Sequence, residues 1–236
     1  AEGVEVTRAA FVAGHSLGEY SALCAAGAMR LADTARLLRI RGDAMQAAVP
    51  AGQGAMAAIL GLDLAAVIEL ASEAAQGQGC GAANDNDPAQ VVGSGDAAAV
   101  ERALALAQER GATRAVMLPV SAPFHCNLMT PAAQVMEDAL QEVTLSAPKV
   151  PLVGNITAEA SSDAQAIRAN LITQVTGTVR WRESVAWMAA NGVTETWEIG
   201  AGKALSGMVR RIARSLASRQ VGTAEDVKAA AESLAG

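Results

Sequence analysis

Ser16 stands in the run Gly14-His15-Ser16-Leu17-Gly18, and its G-x-S-x-G spacing is that of a nucleophile elbow. The chemistry is acyl capture. The glycines flank a sharp turn in which the serine takes a strained conformation and projects its hydroxyl. The backbone N–H of Leu17, the residue after the nucleophile, then points into the same space as one half of an oxyanion hole. The competing role for Ser16 is an N-cap whose hydroxyl accepts from the first turn of a helix. A nucleophilic serine needs a base, and the chain holds two histidines. His15 adjoins Ser16, and neighbouring side chains on an extended turn point apart, so His15 reads as structural. His125 lies among Pro123, Phe124 and Cys126 in a loop able to lean over the elbow, which makes it the general base by elimination. No carboxylate offers itself as a third member, because Asp138 and Glu142 belong to a later helix and look toward solvent. A dyad oriented by a carbonyl oxygen is the simpler arrangement.

The elements that position these groups follow from periodicity. The apolar run at 9–14 ends at glycine and reads as a buried strand, followed after the elbow by small residues suited to a helix. A long helix is expected over 31–49, carrying Arg36, Arg39 and Arg41, until Pro50, Gly52 and Gly54 break it. Strands are then expected at 55–60, 82–86, 90–95 and 113–120. Helices fall between them, one through Leu64, Val67, Ile68 and Ala71 and one over 97–110 with Gly111 as its C-cap. Strand-helix-strand-strand-helix-strand is the split βαβ order of a ferredoxin-like subdomain, here an insertion at 53–121. The remainder, 1–52 and 122–236, forms an α/β core. It continues with a helix to about 142, a strand at 150–155, helices at 164–174 and 181–191, a strand at 195–199 and a basic helix from about 205. Strands alternating with helices on both sides of the insertion imply a parallel sheet.

Composition narrows the function classes. Of 236 residues, 51% are hydrophobic but 3% aromatic, so the core is helix-rich and thinly furnished with large side chains. A charged fraction of 18% argues against disorder. A net charge of −6 argues against a nucleic-acid binder, which carries a basic face. Three cysteines in a chain too large to need disulfide staples point to a reducing cytoplasm. No apolar run reaches membrane-span length, so no membrane association is expected. No metal site is expected either, since two distant histidines and scattered cysteines lack ligand spacing.

These residues resemble the malonyl-coenzyme A:acyl carrier protein transacylase family of fatty acid synthesis. The resemblance runs in family order through Gly14-His15-Ser16-Leu17-Gly18-Glu19-Tyr20-Ser21-Ala22-Leu23, Arg41-Gly42 with Met45-Gln46, and Gly54-Ala55-Met56-Ala57-Ala58. It continues in Gln90-Val91-Val92, Val120-Ser121-Ala122-Pro123-Phe124-His125-Cys126 with Leu128-Met129, and Glu198-Ile199-Gly200-Ala201-Gly202-Lys203. It implies a hydrolase-like α/β core with an inserted ferredoxin-like subdomain. It implies malonyl-CoA as substrate with no cofactor, acyl carrier protein as acceptor, and a malonyl-Ser16 intermediate. His125 is then the base, Gln174 the residue whose carbonyl orients it, and Arg41 the cation that holds the malonyl carboxylate, with Met45 and Phe124 at the substrate. A bidentate guanidinium suits a free carboxylate, and an acetyl group gives it nothing to bind. On the residues alone, Arg41 would share a solvated helix face with Arg36 and Arg39. In the family, phenylalanine before the histidine goes with malonyl and smaller residues with methylmalonyl. A cationic patch of Lys203, Arg210, Arg211 and Arg214 is expected to dock the acidic carrier protein.

The sequence departs from the family in one place. Members begin with a strand and a Gly-Gln-Gly-Ser-Gln loop some tens of residues before the elbow, and no such segment precedes Gly14. The expectation is that the chain lacks the family's first portion, which supplies the second oxyanion N–H. Losing one such donor costs on the order of 3–4 kcal/mol, or ~100- to 1000-fold in rate.

Overall fold

A computed structural model describes residues 4–235. A 3-10 turn at Val6–Arg8 leads into β1 (Val12–Ala13), α1 (Leu17–Ala25) and α2 (Leu31–Ala47). Next come β2 (Gly54–Leu60), α3 (Leu64–Ala75), β3 (Cys80–Asp87), β4 (Gln90–Asp96), α4 (Ala97–Glu109) and β5 (Arg114–Met117). A second 3-10 turn at Asn127–Met129 opens α5 (Thr130–Gln141), followed by β6 (Leu152–Val153), β7 (Ala160–Ser161) and α6 (Ala164–Gln174). The chain closes with α7 (Trp181–Ala190), β8 (Glu195–Ile199), α8 (Ala204–Ile212), β9 (Ala217–Val221) and α9 (Ala224–Ala235).

Alternation along two short strands sets the layers of the core. β1 runs parallel to β6, with Val12 opposite Leu152 and Ala13 opposite Val153. Successive strand residues face opposite ways. Val12 and Leu152 therefore pack with Leu23, Leu37, Met136, Leu140 and Leu171 of α1, α2, α5 and α6. Phe11, Ala13 and Val153 pack on the other side with Trp181, Val185 and Val209 of α7 and α8. The result is a strand layer between two helical layers. Aspartates cap the N-termini of two helices, α3 and α6, where the first backbone N–H groups lack partners. Asp63 accepts from Ala66 N and Asp163 from Gln165 N, at 2.9 and 2.8 Å.

The segment between Gly54 and Met117 has its own core. Its four strands lie in the order β3-β4-β2-β5, every pair antiparallel. Ile59 and Val91 pack against Val67, Leu70, Ala74, Ala103 and Ala107 of α3 and α4. The alanines let the two helices approach closely, and each large buried side chain contributes about 1.5–3 kcal/mol. The far end of β3 ties this unit to the core. Asp85 pairs with Arg182 and Asp87 with Arg211, each at 2.8 Å, and Asp85 N donates to Val179 O.

Several sequence expectations change. The parallel sheet is present as two patches, the β1-β6 pair and a separate β8-β9 pair, and β7 joins β6 antiparallel. The strands expected at 9–14, 113–120 and 150–155 shorten to Val12–Ala13, Arg114–Met117 and Leu152–Val153, because pairing persists only where a neighbour continues beside them. The basic helix stops at Ile212, which leaves Arg214 in a turn and puts Arg219 on β9. There Arg219 stacks over Trp197, 5.0 Å from the ring centre.

Candidate active site

The elbow is built where β1 stops and α1 starts. A Cβ on Gly14 would lie 2.1 Å from the Gly18 carbonyl, so only glycine lets strand and helix close this tightly. At Gly18 the corresponding space is open. Ser16 adopts φ 52° and ψ −108°, a positive-φ conformation that costs a non-glycine residue about 1–3 kcal/mol and marks functional sites. Asn155 holds that strain in place. Its Oδ1 accepts from Ser16 N at 2.7 Å and its Nδ2 donates to Gly14 O at 2.8 Å. Both flanks of the strained residue are thus pinned by one side chain, which stands just beyond β6 in the register that sets β6 beside β1. The Ser16 hydroxyl makes no capping bond to α1, which removes the N-cap reading. The Leu17 N–H, at the exposed start of α1, has no hydrogen-bond partner among the described residues.

His125 reaches the serine from the loop after β5. A Cβ on Gly54 would lie 2.3 Å from the Pro123 ring, so this glycine admits the loop against β2. His125 Nε2 lies 2.8 Å from Ser16 Oγ, and its Nδ1 lies 2.8 Å from the main-chain oxygen of Gln174. The carbonyl can only accept, so Nδ1 carries the proton and Nε2 is free to accept from the serine. Burial, with the Arg41 charge second, pushes the imidazole down to about 4. The base is therefore neutral near pH 7. His15 faces away, with Nε2 2.8 Å from Asn86 Oδ1 and its ring edge-on to Trp181.

Arg41 completes the group. Thr34, Leu37, Arg41 and Met45 recur three or four apart and form the buried face of α2. Arg36 and Arg39 lie on the other face, paired with Asp33 and Asp43 at 3.2 and 2.8 Å. The solvated face shared by all three arginines is thus ruled out. One terminal nitrogen of Arg41 donates to both Ser16 Oγ and Gln174 Oε1 at 2.9 Å. The guanidinium stacks over Tyr20, 5.8 Å from the ring centre. No carboxylate pairs with it directly among the described residues, so a buried cation faces the nucleophile without an anion of its own. Met45, one turn further, is buried in the core cluster and supports the helix; no contact places it against Ser16. Phe124 packs against that cluster and also against the group of Met56, Ala83 and Val92, so it bridges the core and the insertion.

Two buried polar residues of the site carry no signal in the sequence. Asn155 is one. The other is Glu19, on α1, whose Oε2 accepts from Gln174 Nε2 at 2.5 Å. Burial pushes Glu19 up to about 7, while Gln174, Asn155 and Arg41 pull it back. The motif that contains Glu19 is legible, but its helical position says nothing about a glutamine more than 150 residues away. Among the described residues no cluster of His, Cys, Asp and Glu is arranged to hold a metal ion.

Known proteins carry the same arrangement of chain. A malonyl CoA-acyl carrier protein transacylase of Escherichia coli K12 is 47% identical over 223 residues, covering 94% of this chain and 72% of its own length. The Bacillus subtilis protein of the same name is 44% identical, over 95% of this chain and 71% of its own. The crystal structure of an acyl-carrier-protein-S-malonyltransferase from Bartonella henselae superposes with a TM-score of 0.96 at 54% identity, covering 99% of this chain and 75% of its own. A malonyl-transacylase solved in complex with a type II PKS acyl-carrier protein superposes with a TM-score of 0.92 at 41% identity, over 95% of this chain and 72% of its own. With residues 1–232 matching the acyl transferase domain, and relatives this similar along nearly the whole chain, the protein belongs to the acyl transferase domain family.

Proposed function

We propose that the chain transfers a malonyl group from malonyl-CoA to the phosphopantetheine thiol of an acyl carrier protein, through a malonyl ester on Ser16. The observation that carries this reading is the Ser16 hydroxyl held between a neutral imidazole and a buried guanidinium, each within 2.9 Å. As Oγ attacks the thioester carbonyl, His125 Nε2 takes its proton. The Gln174 carbonyl steadies the resulting imidazolium, and the Leu17 N–H donates to the developing oxyanion. The same proton then passes to the departing coenzyme A sulfur. In the second half-reaction the carrier thiol gives its proton to His125, attacks the ester, and Ser16 recovers its hydrogen. Arg41 pairs with the malonyl carboxylate, which neutralises the charge that, after burial, does most to depress His125. No cofactor enters beyond the coenzyme A that brings the acyl group, and a reducing cytoplasm is the compartment this chemistry suits. No helix of the described residues is long and apolar enough to cross a membrane. With labelled malonyl-CoA and holo carrier protein, label is expected on the carrier. Release as free malonate, with the carrier unlabelled, would make the protein a thioester hydrolase.

Phe124, adjacent to the base His125 and packed with Met56 and Val92, limits the size of the acyl group in this reading. Phe124→Ser is expected to raise the kcat/KM ratio of methylmalonyl-CoA to malonyl-CoA by about 10-fold, the scale of one methyl group in a fitted pocket. An unchanged ratio counts against it.

The carrier docks, in the same reading, along α8, with Lys203 at its N-terminus and Arg210 and Arg214 at and beyond its C-terminus. Arg211 is committed to Asp87 at 2.8 Å, so it is removed from the patch expected from sequence. Lys203, Arg210 and Arg214 remain exposed, with no acidic partner at ion-pair distance among the described residues. Arg210→Glu with Arg214→Glu is expected to raise KM for the carrier about 10-fold, most strongly at low salt, and to leave KM for malonyl-CoA in place. Equal effects on both substrates would rule out the patch as the docking site.

A further inference from the structure

Glu19 sits beneath the elbow and touches neither Ser16 Oγ nor His125. It is 1% exposed, and two donors face its carboxylate. Gln174 Nε2 donates to Oε2 at 2.5 Å, and the Asn155 backbone N donates to Oε1 at 3.4 Å. Burial raises Glu19 to about 7, and above that value the carboxylate accepts at both oxygens, whereas an amide of the same shape accepts at one and donates at the other. The Gln174 amide is thereby oriented. Its nitrogen faces Glu19, the Ser16 main-chain oxygen at 2.9 Å and Asn155 Oδ1 at 3.3 Å, and all three are acceptors. Its oxygen is left to face Arg41, 2.9 Å away. Reversal of the amide would set an NH₂ group against the guanidinium, donor to donor.

We infer that Glu19 is a positioning residue for substrate selection: acting through the side-chain amide of Gln174, it sets the placement of Arg41 and so the preference for a carboxylate-bearing acyl group. The inference rests on the reading of Arg41 as the malonyl anchor. It gives Gln174 two separate duties, a main-chain carbonyl for the base and a side-chain amide for the anchor. It also explains a carboxylate buried where no cation among the described residues touches it directly.

The test compares kcat/KM for malonyl-CoA and acetyl-CoA in Glu19→Gln, Arg41→Ala and the double variant at a pH of about 8, where Glu19 is ionised. Glu19→Gln is expected to lower the malonyl-to-acetyl ratio about 10-fold, chiefly through KM for malonyl-CoA. In the Arg41→Ala background it is expected to change the ratio less than about 2-fold, because the route it acts through is gone. A merely structural Glu19 would depress both substrates in proportion and leave the ratio where it was, which overturns the inference. So would an equal loss of ratio in both backgrounds. If Arg41→Ala itself leaves the ratio unchanged, the anchor reading fails instead. Should Glu19→Gln not fold, Gln174→Met cuts the same side-chain bridge while keeping the carbonyl on His125, and the same ratios decide.

Discussion

Ser16→Ala is expected to lower malonyl transfer by about 10⁴- to 10⁶-fold, with the fold intact. The hydroxyl is the atom on which His125 and Arg41 converge, and it makes no capping bond whose loss would loosen α1. Alanine inherits the same strained backbone, which Asn155 continues to clamp through main-chain atoms alone. The thermal midpoint is therefore expected to move little while steady-state transfer to the carrier disappears. His125→Ala is expected to cost nearly as much, and the double variant little more than either alone, since nucleophile and base act as one unit. Independent, multiplying losses would mean that the two side chains serve different steps.

Arg41→Ala is expected to reduce kcat/KM for malonyl-CoA by about 10²- to 10³-fold, the effect of leaving a buried carboxylate without its cation. Transfer of an acetyl group is expected to fall far less. The sign follows from the site, where the guanidinium is buried against neutral oxygens and the Tyr20 ring with no direct anionic partner among the described residues. Burial holds His125 down most, and removing Arg41 lifts the second cause, so the base becomes stronger while the anchor is lost. Arg41→Lys is expected to recover part of the loss only, because an ammonium on a flexible stem does not form the planar two-point contact. Parallel losses for malonyl and acetyl substrates would show that Arg41 supports the serine and not the acyl group.

Local patterns announce much of this site. An apolar run, a glycine and a serine between two glycines locate the elbow, and with two histidines in the chain the base follows by elimination. The inserted subdomain is legible because its strands and helices alternate in period, although β4 passes straight into α4 without a turn. Arg41 is legible in principle: it lies four positions along from Leu37 and four before Met45, whereas Arg36 and Arg39 fall on another face. What stays hidden is long-range. Asn155 and Glu19 acquire their roles from register and burial, and neither residue type signals that by itself. The pairing of Arg211 with Asp87 spans more than a hundred residues and reduces a patch that looks uniform in sequence. At the end of the chain, β9 folds against β8 through parallel pairing that no local turn announces, and α9 then packs on β9.

The central claim is a malonyl ester on Ser16, and intact-protein mass spectrometry after brief mixing with malonyl-CoA, without carrier protein, tests it most directly. One added malonyl group is expected, mapped to the peptide containing Ser16, absent from Ser16→Ala and discharged when holo carrier protein is added. An unmodified protein that still transfers malonyl, or an adduct on another residue that the carrier discharges, would contradict it.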